Sequence, residues 1–175
     1  MRIFAQVFSR PRQRIAMPLG GALLAAAVLA TSWVAWAQDQ SAATPKDAIF
    51  ARKVVMGAIG SHMDEIDTMV ETGKIELTEG RDHADAISVL LMAFPHLFPP
   101  STNQWKPDVE RDPGTDTFAA PKIWTRYADF YKQAADSSKT AYNVSRAQND
   151  EEFKKFGAQL RASCDACHAT YMKPQ

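Results

Sequence analysis

Apolar residues recur at helical spacing in four segments of the chain. The first segment spans 46–70, and its apolar stripe comprises Ile49, Met56, Ile59, Met63, Ile66 and Val70. The same stripe passes through Arg52, so that steps of three and four alternate along it. Gly73 ends this segment. The second opens at Thr78 and is stopped by Pro95, and its stripe comprises Ala84, Ile87, Leu91 and Phe94. Both patterns predict amphipathic helices.

Two more helices are predicted after a proline-rich connection that runs from Phe94 to Pro121. Pro121 suits the first turn of the third helix, which continues to Tyr142. Asn149 or Asp150 caps the fourth helix, whose stripe comprises Phe153, Phe156, Leu160, Cys164, Cys167 and Tyr171. No segment shows the period of two that is typical of strands. Four amphipathic helices in one short chain predict an all-α fold, an antiparallel four-helix bundle.

The first 37 of the 175 residues have the composition of a secretory signal peptide. Four arginines lie within residues 1–14, residues 15–37 are uncharged, and Ala35 and Ala37 occupy the small-residue positions of a cleavage site. An uncleaved membrane anchor is the alternative, because an uncharged run of this length can cross a bilayer. We expect a signal peptide over 1–37, a short extension over 38–45 and a helical domain over 46–175, exported to the periplasm.

The composition excludes several classes of function. The leader holds four of the 20 basic residues and no acidic one, so the mature chain carries 16 basic residues against 20 acidic ones. A mildly acidic chain without a basic run has no electrostatic footprint for nucleic acid. A hydrophobic content of 46% argues against disorder. We therefore expect no nucleic-acid partner, and no membrane span once the leader is removed.

The fourth predicted helix contains Cys164-Asp165-Ala166-Cys167-His168, which is the attachment motif of a c-type haem. Positions i, i+3 and i+4 share one helix face, so both sulfurs can bond the vinyl groups of one macrocycle while His168 points at its iron. Thioether formation also consumes two thiols that would otherwise oxidise in an exported protein. The motif predicts one haem c, held covalently through Cys164 and Cys167.

Two other uses of the cysteine pair fit the sequence less well. A thioredoxin-like redox pair needs a preceding strand and a βαβ setting, which the helical pattern lacks. A structural zinc site needs four ligands, and the remaining histidines, His62, His83 and His96, are scattered over other segments. The sequence assigns these three histidines no role.

The second axial position of the iron decides between electron transfer and the binding of a small ligand. Met56 and Met63 both lie on the first stripe, about 10 Å apart, so only one of them can be level with the iron. Arg52 lies one turn before Met56, and a buried guanidinium needs a partner such as a haem propionate. The alternative is that both methionines are ordinary core residues and that Arg52 extends to solvent.

These residues resemble those of the class II cytochromes c, which comprise cytochrome c′ and its low-spin relatives. The resemblance covers nearly the whole mature chain and rests on Arg52-x-x-x-Met56, Leu97-Phe98-Pro99, Lys122-Ile123-Trp124 and the C-terminal position of the attachment motif. It implies an antiparallel four-helix bundle with the haem between the helices. It also implies dimers that form through the first two helices.

The resemblance bears on the sixth ligand of the iron as well. The position that matches Met56 carries the ligating methionine in the low-spin branch, whereas high-spin cytochromes c′ commonly have a non-coordinating apolar residue there. With the proline-rich connection, Met56 makes the chain more similar to the low-spin branch. Many high-spin members have Arg or Lys four residues after the haem histidine, where this chain has Met172, and that difference weakens a gas-binding interpretation.

The sequence therefore predicts a periplasmic monohaem cytochrome that carries one electron, is not an enzyme, and uses His168 and Met56 as axial ligands of the iron. The expected partners are redox proteins and a second copy of the chain. One alternative is a five-coordinate cytochrome c′ that binds nitric oxide or carbon monoxide. Another is a helical binding module in which the attachment motif is unused.

Overall fold

The computed structural model describes residues 44–106 and 117–173. The predicted signal peptide, over 1–37, and nearly all of the extension, over 38–45, lie outside the described residues. The helices are α1 (Pro45–Thr72), α2 (Leu77–Ala93), α3 (Lys122–Thr125), α4 (Tyr127–Ser145) and α5 (Asp150–Tyr171). The prediction of an all-α fold is confirmed, and the described part of the chain contains one isolated β-bridge and no strand. No helix in this part is long and apolar enough to span a bilayer.

The ends of the long helices follow from local side-chain chemistry. Thr44 caps α1 through a capping box, in which its backbone N–H donates to the Asp47 carboxylate at 2.8 Å. Gly73 ends α1 with a φ of 71°, a left-handed conformation that glycine adopts at little cost. Asn149 caps α5, because its side-chain oxygen accepts from the backbone N–H of Glu152 at 2.9 Å. The predicted stop at Gly73 and the cap at Asn149 are confirmed.

The third predicted helix is interrupted at Arg126, whose φ of −132° and ψ of 45° separate α3 from α4. Side chains on both sides of this break are anchored to the segment that follows α2. The Trp124 indole donates to the carbonyl of Phe98 at 3.1 Å, and the Tyr127 hydroxyl donates to the carbonyl of Pro95 at 2.9 Å. These anchors are tertiary contacts, which helical periodicity does not reveal. The segment α3 plus α4 still serves as the third member of a four-helix bundle.

The core consists of two clusters of buried side chains. The main cluster joins α1, α2, α4 and α5, and its largest fully buried members are Phe153, Met63, Ile66, Ile87 and Leu160. The second cluster lies under the turns that follow α2 and comprises Phe94, Phe98, Ile123, Phe130 and Tyr171. Met56 packs against both clusters. The two clusters therefore meet beside the part of α1 that carries Met56.

Candidate haem site

The attachment motif lies in the last two turns of α5, as predicted, and all three of its functional side chains are half-buried. Cys164 packs against the main cluster and Cys167 against the second one. The three side chains of Cys164, Cys167 and His168 line one cavity together. This shared cavity is the arrangement that the i, i+3, i+4 spacing predicts for one helix face.

Two adjoining cavities occupy the space between α1, α4 and α5. The larger has a volume of about 350 Å³ and the smaller about 130 Å³, and both are lined by Met56, Phe94, Phe130, Cys167 and His168. Arg52 lines the larger cavity and Cys164 the smaller one. The structure thus brings together all five residues that the sequence singles out. They come from two helices that are far apart in sequence.

Burial controls the chemistry of the two cysteines. It raises the pKa of the Cys167 thiol to about 11 and also raises the pKa of the Cys164 thiol. A thioredoxin-like pair needs a thiol whose pKa is lowered, because the thiolate is the reactive form. This environment therefore opposes the redox alternative, and it suits sulfurs that end as neutral thioethers.

Arg52 is buried in the cavity wall, with only 4% of its surface exposed. Its guanidinium donates to the Thr102 hydroxyl at 2.9 Å and to the Thr117 hydroxyl at 2.5 Å. The same group stacks 4.7 Å from the centre of the Phe98 ring. The alternative in which Arg52 extends to solvent is therefore wrong.

Within the described residues, the charge of Arg52 has no carboxylate partner. Burial lowers the pKa of its guanidinium to about 10, so the group is still protonated at neutral pH. Among residues 44–106 and 117–173, no carboxylate lies within ion-pair distance of it. A buried cation is costly unless an anion pairs with it, so this position suits the binding of an anionic group.

The methionines differ in their position relative to these cavities. Met56 is half-buried and lines both cavities, whereas Met63 is 2% exposed and lines only the smaller one. Met92, with 66% of its surface exposed, and Met172, at 38%, project outward, although Met172 contributes to the rim of the larger cavity. Met69 is buried beside Gly80, although it lies one residue off the predicted stripe.

Sequence reasoning missed several residues of the site. Thr102 and Thr117 lie in the irregular connection, where no periodicity marks a polar side chain as buried. Arg161 lines the smaller cavity and donates to the carboxylate of Asp67, which raises the pKa of the Arg161 guanidinium. Its spacing of three residues before Cys164 on α5 is the one signal in the sequence that places it near the motif.

The residues present fit a covalently attached haem. The cavity walls are largely aromatic and aliphatic, as a macrocycle requires, and two cysteine sulfurs and an imidazole stand on one side. The buried guanidinium of Arg52, which has no carboxylate partner among the described residues, lines the same cavity and can meet a propionate there. No other set of described residues combines these features.

Comparison with known proteins supports the same conclusion. A family model described as Cytochrome C′ matches residues 47–172. A cytochrome c′ of Pararhodospirillum photometricum is 27% identical over 133 residues, which cover 74% of this chain and 98% of the relative.

Two solved structures share the fold. The nitric oxide complex of a variant cytochrome c prime from Alcaligenes xylosoxidans has 20% identity and a TM-score of 0.64, and covers 77% of this chain and 100% of that chain. A cytochrome c′ with ligand-controlled dimer dissociation has 21% identity and the same TM-score and coverage. These comparisons give no support to the methionine-ligated, low-spin branch. The match over 47–172 and the C-terminal attachment motif show that the chain belongs to the cytochrome c′ family, whose members carry covalently attached haem c.

Proposed function

We propose that this protein holds one haem c between α1 and α5 and binds nitric oxide or carbon monoxide at the iron. The observation that carries this proposal is the mostly apolar wall of the larger cavity beside His168. Met56, Phe94, Phe98 and Phe130 offer no N–H or O–H donor there, although Arg52, Lys53, Thr117 and Tyr171 also line the cavity. Whether a haem pocket binds or activates a gas depends on its polarity and on the donors it contains. An apolar pocket favours neutral diatomic ligands that need no hydrogen bond.

Each residue of the site has a distinct part in this proposal. Cys164 and Cys167 hold the haem through thioethers, and His168 supplies the proximal imidazole. Arg52 pairs with a propionate, because its charge is buried without a carboxylate among the described residues. The haem supplies the iron that binds the gas, and the protein catalyses no transformation.

Two further findings support gas binding over electron transfer. The family is cytochrome c′, and one structurally similar relative is a nitric oxide complex. The sequence-based preference for the low-spin branch rested on Met56 with the proline-rich connection, and on Met172 replacing a basic residue. None of these features excludes an iron that is five-coordinate. Gas binding, given above as an alternative, is therefore our main proposal.

A second candidate function is one-electron transfer with Met56 as sixth ligand. The observation that favours it is the position of Met56, which lines both cavities together with His168. A thioether bound to iron would give the histidine–methionine ligation of electron-carrying cytochromes, and the protein would then exchange electrons with other redox proteins.

The optical spectrum of the purified haem-loaded protein separates the two functions. We expect high-spin spectra in both oxidation states and rapid uptake of carbon monoxide by the reduced protein. A low-spin oxidised spectrum with a weak sulfur-to-iron charge-transfer band in the far red, together with slow uptake of carbon monoxide, would overturn gas binding in favour of electron transfer.

We also propose that two copies of the chain associate through α1 and α2. Four large apolar side chains on these helices are more than half exposed, namely Phe50, Val54, Val89 and Met92. A structurally similar relative is a dimer whose dissociation is ligand-controlled. Sedimentation of the haem-loaded protein should show a dimer, and Val54→Asp should convert it to a monomer. Tyr142→Asp, an equivalent change on α4, is the control that should leave the dimer intact.

Export to the periplasm completes the proposal. It is supported by the arginine-rich start, the uncharged run over 15–37 and the small residues at Ala35 and Ala37. Fractionation of the producing cells should place the haem-loaded protein in the periplasmic extract; recovery with the membranes would instead indicate an uncleaved anchor.

A further inference from the structure

Two histidines outside the haem site face each other between α1 and α2. The Nδ1 atom of His62 lies 2.8 Å from the Nδ1 atom of His83, and the ring centres are 5.1 Å apart. Both side chains are half-buried at the helix interface. Two imidazole nitrogens at this distance share one proton, because one must donate while the other accepts.

The surroundings of His83 favour Nδ1 as its accepting nitrogen, although Glu79 is too far from Nε2 for a hydrogen bond. Its Nε2 atom is shielded from solvent, has no hydrogen-bond partner within the described residues, and lies 3.8 Å from the carboxylate of Glu79. A proton on Nε2 is favoured by that carboxylate, and it leaves the lone pair of His83 on Nδ1, aimed at His62. An imidazole oriented by a carboxylate behind it is the usual arrangement of a metal-ligating histidine.

We infer that His62 and His83 form a binding site for one divalent transition-metal ion, which the two Nδ1 atoms ligate in place of the proton between them. That proton moves through solvent to Nε2 of His62, which leaves both imidazoles neutral. Neutral imidazole is a preferred ligand of zinc and copper. Zinc binds nitrogen at roughly 2.0–2.1 Å, so two nitrogens in a tetrahedral site are about 3.3 Å apart. The two nitrogens therefore need to separate by about half an ångström, and the rings need to turn so that both lone pairs point at the ion.

The chain supplies two ligands to this ion rather than a full set. Within residues 44–106 and 117–173, no third histidine, cysteine or carboxylate completes a cluster around a single ion. Water fills the remaining positions, which the partial exposure of both rings allows. Because the ligands come from two helices, the ion joins α1 to α2 and stabilises the folded protein when it binds. The site does not depend on the haem or on the proposed function.

Calorimetric titration of the untagged, haem-loaded protein with zinc chloride tests the site. We expect one ion per chain in wild type and loss of that binding event in both His62→Gln and His83→Gln. His96→Gln is the matched control, since His96 is an exposed histidine on the turn after α2, and it should bind zinc as wild type does. Zinc should also raise the unfolding temperature of wild type and of His96→Gln, but not of the other two variants.

Glu79→Gln keeps the test decisive if either histidine variant fails to fold. Glu79 is 63% exposed, so its replacement should leave the structure intact while weakening zinc binding by about tenfold. Absence of a stoichiometric binding event in wild type would overturn the proposal. Zinc binding that persists unchanged in His62→Gln and His83→Gln would overturn it as well, and would leave the pair as a hydrogen bond between two helices.

Discussion

Arg52 and Thr102 are joined by two hydrogen bonds, from one guanidinium nitrogen to the threonine hydroxyl at 2.9 Å and from the other to its backbone carbonyl at 3.3 Å. Thr117, near the far end of the same connection, accepts a third hydrogen bond from the guanidinium. The irregular segment after α2 is therefore fastened to α1 through a cation that also lines the haem cavity. The hydrogen bonds to Thr102 and Thr117 therefore hold this charge in the cavity wall.

We predict that Arg52→Met lowers the reduction potential of the haem and makes it depend on pH near neutrality. A positive charge beside a propionate stabilises the reduced iron and keeps the propionate ionised, so both effects are lost with the guanidinium. The variant should also lose about 1–3 kcal/mol of stability, because three hydrogen bonds disappear. Redox titration at several pH values and chemical denaturation measure the two effects.

Arg52→Lys is the matched control for that charge. It keeps the cation but not the fork that reaches Thr102 and Thr117, so the potential should stay near the wild-type value while stability falls. If the reduction potential of Arg52→Met equals that of wild type at every pH, Arg52 only fastens the connection after α2 to α1 and does not pair with a propionate.

A second prediction concerns the covalent state of the exported protein. Intact mass should equal residues 38–175 plus one haem, and acidified organic solvent should leave the haem on the polypeptide. Cys164→Ala should retain at most one thioether, attached through Cys167, and should release haem more readily on denaturation. Haem that passes into the organic phase from wild type would contradict attachment through this motif.

The parts of the molecule that were predicted correctly from sequence are those set by local chemistry. Helix spacing, the glycine at Gly73 and the cap at Asn149 act within a few residues, and α1 ends and α5 begins where these signals indicate. The geometry of the attachment motif is also set locally, because one turn of helix makes the side chains of Cys164, Cys167 and His168 line the same cavity.

What escaped prediction depends on contacts between distant segments. The partners of Arg52 lie in a connection without periodicity, so burial of the Thr102 and Thr117 hydroxyls has no signature in the sequence. The break at Arg126 likewise reflects anchors to the segment after α2. Burial of Met69 has a related cause, because Gly80 on α2 leaves room for its sulfur. The sequence predicted that Met56 lies near His168. The spacing of residues along the helices does not determine whether the Met56 sulfur binds the iron.

A third prediction follows from the close approach of α2 to α5. A methyl group added at Gly80 would lie 2.4 Å from the Cζ atom of Phe153, a ring that is fully buried. Gly80→Ala should therefore destabilise the protein by about 1–3 kcal/mol through overpacking, although alanine is worth about 1 kcal/mol more than glycine in a helix. Chemical denaturation of the haem-loaded protein measures the change.

The steric origin of that loss can be tested in a double-mutant cycle. Phe153→Leu shortens the ring that the new methyl group would strike, so Gly80→Ala should cost less in this background by at least about 1 kcal/mol. Equal costs of Gly80→Ala in both backgrounds would show that the contact with Phe153 is not what requires glycine at this position.

The last prediction concerns Met56, whose side chain lines both cavities beside His168. If the iron is five-coordinate, Met56→Ala should keep the high-spin spectrum and enlarge the gas-binding side of the pocket. Uptake of carbon monoxide should then be about tenfold faster, as expected when removal of a blocking side chain lowers the barrier by about 1.4 kcal/mol.

Met63→Ala is the control, because Met63 is fully buried and lines only the smaller cavity. It should lose about 2–5 kcal/mol of stability through the void it leaves, with little change in spectrum or in the rate of gas uptake. A Met56→Ala protein that converts from low-spin to high-spin would instead identify the thioether as the sixth ligand and make the protein an electron carrier. The same conversion in Met63→Ala alone would instead assign the sixth ligand to Met63, which lies one heptad, or about 10 Å, nearer the C-terminal end of α1. The two variants together therefore locate the iron relative to α1, whichever function is correct.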